Sequence, residues 1–164
     1  MKKLCLYIML LAFSVNGFTK MLSHVFDVST TIDTSLFYDD HLVITGKDAS
    51  LLIDDGDLFI NDDGVFKSSP IILEAHMSSE GIIDIEKYTG ETYWSLKNIE
   101  TYIDLEKKDL SLNITIDNKE FKLNDKYKDI DSTVLLLVSN NEKLDVHAEQ
   151  NITINLTVFL EPVL

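Results

Sequence analysis

The sequence predicts an all-β domain, a sandwich or a barrel, and three observations carry that prediction. Apolar residues recur at every second position in several stretches, the period of a half-buried strand. Turn-forming pairs built from Gly, Asn and Asp separate these stretches at roughly 8–12-residue intervals, as in a compact β domain. Once an export leader is set aside, about 147 of the 164 residues remain, which fits one domain with its own core.

The leader is residues 1–17. Met1-Lys2-Lys3 is a short basic start, residues 4–15 form an apolar run, and Val15 and Gly17 are the small residues before a cleavage site. The run is too short to span a bilayer as a helix, which needs about 20 residues. The expected product is a secreted chain that passes through the periplasm. Its only cysteine, Cys5, lies within the leader, so the mature chain has no disulfide and depends on its core.

The first strand pattern follows at once. Phe26, Val28, Thr30 and Ile32 fall on one face, with Asp27, Ser29, Thr31 and Asp33 on the other. Shorter strand candidates are residues 42–45, 51–53, 58–60, 70–77, 82–86 and 92–96, followed later by 120–123. Residues 98–109 fit a helical stripe of Ile99, Tyr102 and Ile103, but Ile99, Thr101, Ile103 and Leu105 alternate at least as well, so a strand is expected. Residues 110–116 alternate again, and 132–138 read as a strand buried on both faces. The last pattern is the longest: Ile152, Ile154, Leu156, Val158 and Leu160 alternate with Thr153, Asn155, Thr157 and Phe159. Those five even-numbered residues are expected to face the core. Turns are expected at Asp55-Gly56, Asp63-Gly64, Thr89-Gly90, Asp117-Asn118 and Asn140-Asn141.

Charge narrows the partners. Lys and Arg total 14 against 28 Asp and Glu, a net charge of −14, and every basic residue is a lysine. Such a surface repels phosphate backbones, which argues against nucleic acid, and anionic membranes are disfavoured for the same reason.

Motifs for chemistry are sparse. The runs Asp54-Asp55-Gly56-Asp57 and Asn61-Asp62-Asp63-Gly64 lack the ligand spacing of an EF-hand loop and read as solvated turns. His24, His41, His76 and His147 show no metal-ligand spacing and read as surface or edge residues. There is no Gly-x-Ser-x-Gly and no cysteine nucleophile in the mature chain. No catalytic residue, metal ligand or cofactor site is therefore assigned, and the expectation is a non-enzyme. Trp94, with Tyr88 and Tyr93 nearby, fits either a sugar-stacking platform or, the favoured reading, a buried anchor of the core. The sequons at Asn113, Asn151 and Asn155 fall where alternation places Asn and Thr on a polar face, and are read as a consequence of that pattern.

The segment His24-Val-Phe-Asp-Val-Ser-Thr-Thr-Ile-Asp-Thr-Ser-Leu-Phe37 resembles the mature N-terminus of chaperone–usher fimbrial subunits, especially the disulfide-free coli-surface-antigen type. Where such subunits often carry a Gly-x-Tyr turn, this chain has Leu144-Asp-Val-His-Ala-Glu-Gln150. The resemblance implies an immunoglobulin-like β-sandwich lacking one strand over residues 38–164, with residues 18–37 as a donor-strand extension. It implies a structural subunit of a bacterial surface fimbrium that supports cell adhesion. Its partners would be a periplasmic chaperone, an outer-membrane usher, neighbouring fimbrial subunits and a host glycan or protein receptor. Phe26, Val28, Thr30 and Ile32 would insert into a neighbour by β-strand addition, a mode for which chaperone–pilin complementation is a standing example. Ile152, Ile154, Leu156, Val158 and Leu160 would line the acceptor groove. Periodicity alone fits equally an ordinary first strand of the chain's own sheet; position beside the leader favours the donor strand. The alternative functional reading is a secreted monomeric carbohydrate-binding module, and a secreted hydrolase with a carboxylate pair also fits the abundant acids.

Overall fold

A computed structural model describes residues 28–30, 41–61, 63–145 and 150–163. The leader, Phe26, Ile32, His24 and His147 lie outside the described residues. Among the described residues thirteen strands run in chain order: β1 Val28–Thr30, β2 His41–Thr45, β3 Leu58–Ile60, β4 Phe66–Ser68, β5 Ile71–Ser79, β6 Ile82–Lys87, β7 Thr92–Ile103, β8 Glu106–Lys108, β9 Leu112–Ile116, β10 Lys119–Glu120, β11 Lys126–Asp129, β12 Thr133–Asn140 and β13 Ile152–Pro162. They form two sheets. The first is ordered β1-β13-β7-β11, with β8 also on β7. The second is ordered β10-β9-β12-β4-β3, with β5 beside β12 and carrying β2 and β6. One core joins them: Trp94, Leu96, Ile154 and Leu156 from the first sheet share a cluster with Ile44, Leu73, Val134 and Leu136 from the second. All-β character and a two-sheet sandwich thus hold.

The last strand behaves as its alternation predicts. Ile152, Ile154, Leu156, Val158 and Leu160 are all buried, while the residues between them are half-buried. Residues 92–96 and 98–103, which alternate out of phase, belong to one twelve-residue strand. The phase break is a bulge: Thr157 pairs with Asn98 but Val158 pairs with Leu96, leaving Lys97 as an extra residue on β7. Trp94 and Leu96 face the core before it, and Ile99 and Thr101 after it. A bulge lets two mismatched alternations serve one face.

Turn chemistry accounts for the hairpins. Asp117 and Asn118 have φ of 47° and 64° between β9 and β10, the left-handed pair of a two-residue type I′ turn. Glu80 and Gly81, at 52° and 79°, do the same between β5 and β6. Gly64 is fixed twice over. Its φ is +77°, and a Cβ there would stand 2.3 Å from the Leu144 carbonyl oxygen. The same glycine accepts a hydrogen bond from Leu144 N at 3.0 Å and another from Asn140 Nδ2 at 3.0 Å.

Several expectations need correction. Residues 51–53 are not a strand: Asp48 and Ala49 take left-handed φ of 58° and 59°, the chain bends, and Leu51 and Leu52 are left exposed without a ladder partner. Residues 120–123 shrink to the two-residue β10 plus a single bridge from Leu123 to Leu96. Asn140 is the buried last residue of β12 rather than an exposed turn, and its Oδ1 accepts Phe66 N at 2.7 Å. Strands β4, β8 and β11 carry no clear signal of their own, because three or four residues rich in lysine and serine show too little alternation to register.

Because Leu156 is fully buried and its neighbour Thr157 is not, the two faces of β13 should respond differently to truncation. Leu156→Ala should cost on the order of 2–5 kcal/mol, and Thr157→Ala within about 0.5 kcal/mol. Urea denaturation of both variants beside the wild type checks this; equal losses would contradict the assigned faces.

Candidate functional site

The edge of β13 is where sequence and topology converge. On one side it pairs antiparallel with β7 along its whole length, from Ile152 opposite Ile103 to Pro162 opposite Thr92. On the other side, among the described residues, it pairs only with β1, which runs parallel: Val28 opposite Ile154, Ser29 opposite Asn155, Thr30 opposite Leu156. Of the four candidate donor residues, Val28 and Thr30 therefore come into register with Ile154 and Leu156. Phe26 and Ile32 lie outside the described residues. The five candidate groove residues are brought together as one row of core side chains. From Thr157 to Pro162 the outer side of β13 has no strand partner among the described residues.

A strand edge whose main-chain donors and acceptors lack a partner is a template for another strand. Backbone hydrogen bonds supply affinity there, and the alternate side chains select what fits.

Trp94 is fully buried in β7, so its ring is part of the core and not a platform for a sugar; Tyr88 and Tyr93 are half-buried. Among the described residues no group of three or more His, Cys, Asp or Glu side chains is placed to hold a metal ion.

One polar cluster departs from what the sequence predicts. His76, expected at the surface, is fully buried on β5. It points away from the core, with Glu74, to the far side of the second sheet, where the turn at Lys47–Ala49 and strand β6 cover it. Nδ1 lies 2.9 Å from the Asp84 carbonyl oxygen and 3.1 Å from that of Glu86. A carbonyl only accepts, so Nδ1 carries the proton. Nε2 lies 3.3 Å from Glu74 Oε2. Glu74 Oε1 is 2.9 Å from Lys87 Nζ, and Ala49 N donates to Oε2 at 3.4 Å. Lys87 Nζ donates in turn to Thr133 Oγ1 at 2.6 Å. Burial pushes the Glu74 carboxyl up, but Lys87, His76 and the Ala49 amide together outweigh it and hold the group below its ordinary value of 4.5.

The imidazole does structural work. His76 pairs with Lys87 and Ser78 with Ile83, so residues 84–86 of β6 bulge opposite Met77 alone. The Asp84 and Glu86 carbonyls in that bulge take their donor from the His76 ring. A His–Glu pair two apart on a strand is the available sequence signal, since such residues share a face. The bulge that closes over them is not visible in sequence.

Neither the comparison with protein-family models nor that with curated proteins finds a match.

Glu74 ties the acid limb of stability to this cluster. A carboxyl held below 4.5 when folded contributes stability above that pH and loses it as pH falls through the folded value. Glu74→Gln should therefore be less stable than wild type at pH 7, by about 1–3 kcal/mol. The gap should narrow as pH is lowered from about 5 to about 3. Urea midpoints across that range check it; a constant gap would remove Glu74 from the acid response.

Proposed function

We propose that this chain is a structural subunit of a bacterial surface fimbrium, exported through the periplasm and polymerised by donor-strand complementation in support of adhesion. The observation that carries the reading is the edge of β13. The strand's even-numbered side chains fill the core, one side is fully paired with β7, and the other, among the described residues, holds only the three-residue β1. The resemblance of residues 24–37 to fimbrial N-termini supplies the same assignment from the opposite end of the chain.

In this reading the sandwich is immunoglobulin-like and lacks its last strand, and β13 is the acceptor. The N-terminal extension can meet that edge in its own chain or in a neighbour. The apolar side chains of Phe26, Val28 and Ile32 favour whichever partner buries them, on the order of 1.5–3 kcal/mol for each side chain fully buried. A parallel in-chain segment of three residues offers few ladder hydrogen bonds. A longer strand from a neighbour gains more of them, which drives exchange toward the polymer. An open edge of this kind invites aggregation, so a periplasmic chaperone would protect it until an outer-membrane usher passes it to the next subunit. The role is structural rather than catalytic. The carbohydrate-binding alternative loses its main anchor, because Trp94 is in the core.

Co-expression with a cognate chaperone, followed by a denaturing gel without boiling, tests the reading. Wild-type chains should form a ladder. Deleting residues 18–36 should leave a soluble, chaperone-bound subunit that forms none. Val28→Asp and Ile32→Asp together should also abolish the ladder, since an unpaired carboxylate in an apolar groove costs more than the burial it replaces. A ladder that survives both substitutions would end the proposal.

A further inference from the structure

We propose that the core face of the β7–β11 pair holds one ordered water molecule, gripped by the Trp94 indole N–H, the Thr92 hydroxyl and the Asp129 carboxylate.

Buried polar side chains of folded proteins nearly always find a hydrogen-bond partner, and an exception calls for a bound water, an ion or a functional role. Among the described residues four buried side-chain atoms find no partner among the protein atoms: Thr92 Oγ1, Trp94 Nε1, Ser95 Oγ and Asp129 Oδ2. They are not scattered. Three belong to the first residues of β7, and Asp129 lies on β11 directly opposite Thr92. Ser95 is out of phase with Thr92 and Trp94, so its side chain leaves by the other face of the sheet. The other three share the core face. Thr92 and Trp94 are wholly buried there, and Asp129 is only 7% exposed.

Register sets their spacing. Directly opposed residues of an antiparallel pair have Cβ atoms about 4.5–5.5 Å apart. Trp94 stands two residues from Thr92 on the same strand, about 7 Å along it. Thr92 and Asp129 are thus neighbours whose oxygens make no direct bond, the spacing at which a bridging water belongs. Asp129 Oδ1 accepts Asp131 N at 3.1 Å, which anchors the carboxylate and leaves Oδ2 as its unpartnered oxygen. No opposed side chain supplies the missing bonds. On β13 the residues opposite Thr92 and Trp94 are Pro162 and Leu160, which have no polar side-chain atom. On β11 Tyr127 is opposite Trp94, but its side chain already bonds Asp117.

The three groups define their occupant. An indole N–H only donates, a carboxylate only accepts, and a hydroxyl does both. A cation would face the N–H and an anion would face the carboxylate, so neither fits. Water accepts from Trp94, donates to Asp129 and bonds the Thr92 hydroxyl, and three bonds are the usual number for a buried water. It ties β11, at the end of its sheet, to the tryptophan of the core.

Trp94 is the chain's only tryptophan, so the full mature chain labelled with nitrogen-15 gives one indole N–H resonance. A rotating-frame Overhauser experiment should show a cross-peak from that resonance to water, with the sign of through-space contact and not of proton exchange. The cross-peak should vanish in Thr92→Val and remain in Thr92→Ser, which keeps the hydroxyl. Oxygen-17 relaxation dispersion of the solvent should count one long-lived water fewer in Thr92→Val than in wild type, and the wild-type number in Thr92→Ser. A wild-type indole N–H silent toward water would overturn the proposal, whether or not the valine variant folds. So would an unchanged water count in a folded Thr92→Val.

Discussion

The pairing of β13 with β7 is the constraint on which the rest of the structure depends. It joins the last strand of the chain to its longest, over eleven residues, and places Ile152, Ile154, Leu156, Val158 and Leu160 against Trp94 and Leu96. With no cysteine among the described residues, no disulfide backs up this seam. Closing a loop between residues so far apart in sequence costs entropy that only burial can offset. The apolar run of β13 supplies that burial, and the bulge at Lys97 keeps both halves of β7 on the core side. Among the described residues, the edge that β13 turns away from β7 is paired only by the three residues of β1.

The second sheet solves a different problem. Its outer face would leave Glu74 and His76 in solvent, yet the turn at Lys47–Ala49 and the arch of β6 bury both. The buried polar atoms at that point find their partners: two carbonyls for Nδ1, Lys87 and the Ala49 amide for the carboxylate. A satisfied polar cluster fixes geometry more sharply than apolar packing does, because any shift leaves a group unpaired. Here it fixes the bulge of β6 and, with it, the side chains the hairpin displays. Asn140 does the same at the far end of β12, bonding Phe66 and Gly64 across more than seventy residues of sequence.

Part of the candidate site is legible in the amino-acid sequence. The five residues of β13 announce themselves by strict alternation, and Val28 and Thr30 by the same rule. Trp94 is readable as core. His76 is not, because a lone histidine carries no signal about what will fold over it. The short strands β4, β8 and β11 are hidden too, because three or four residues show too little alternation to register.

The sequence by itself determined the fold class, the core face of β13 and the turns at Asp63-Gly64 and Asp117-Asn118, since these follow from side-chain period and from residues that tolerate left-handed backbone. Tertiary structure alone decided which strands became neighbours, where Lys97 and residues 84–86 were squeezed out as bulges, and which polar residues were buried. Those outcomes turn on pairings between segments far apart in the chain, where the free energy lies in the contact and in neither partner alone.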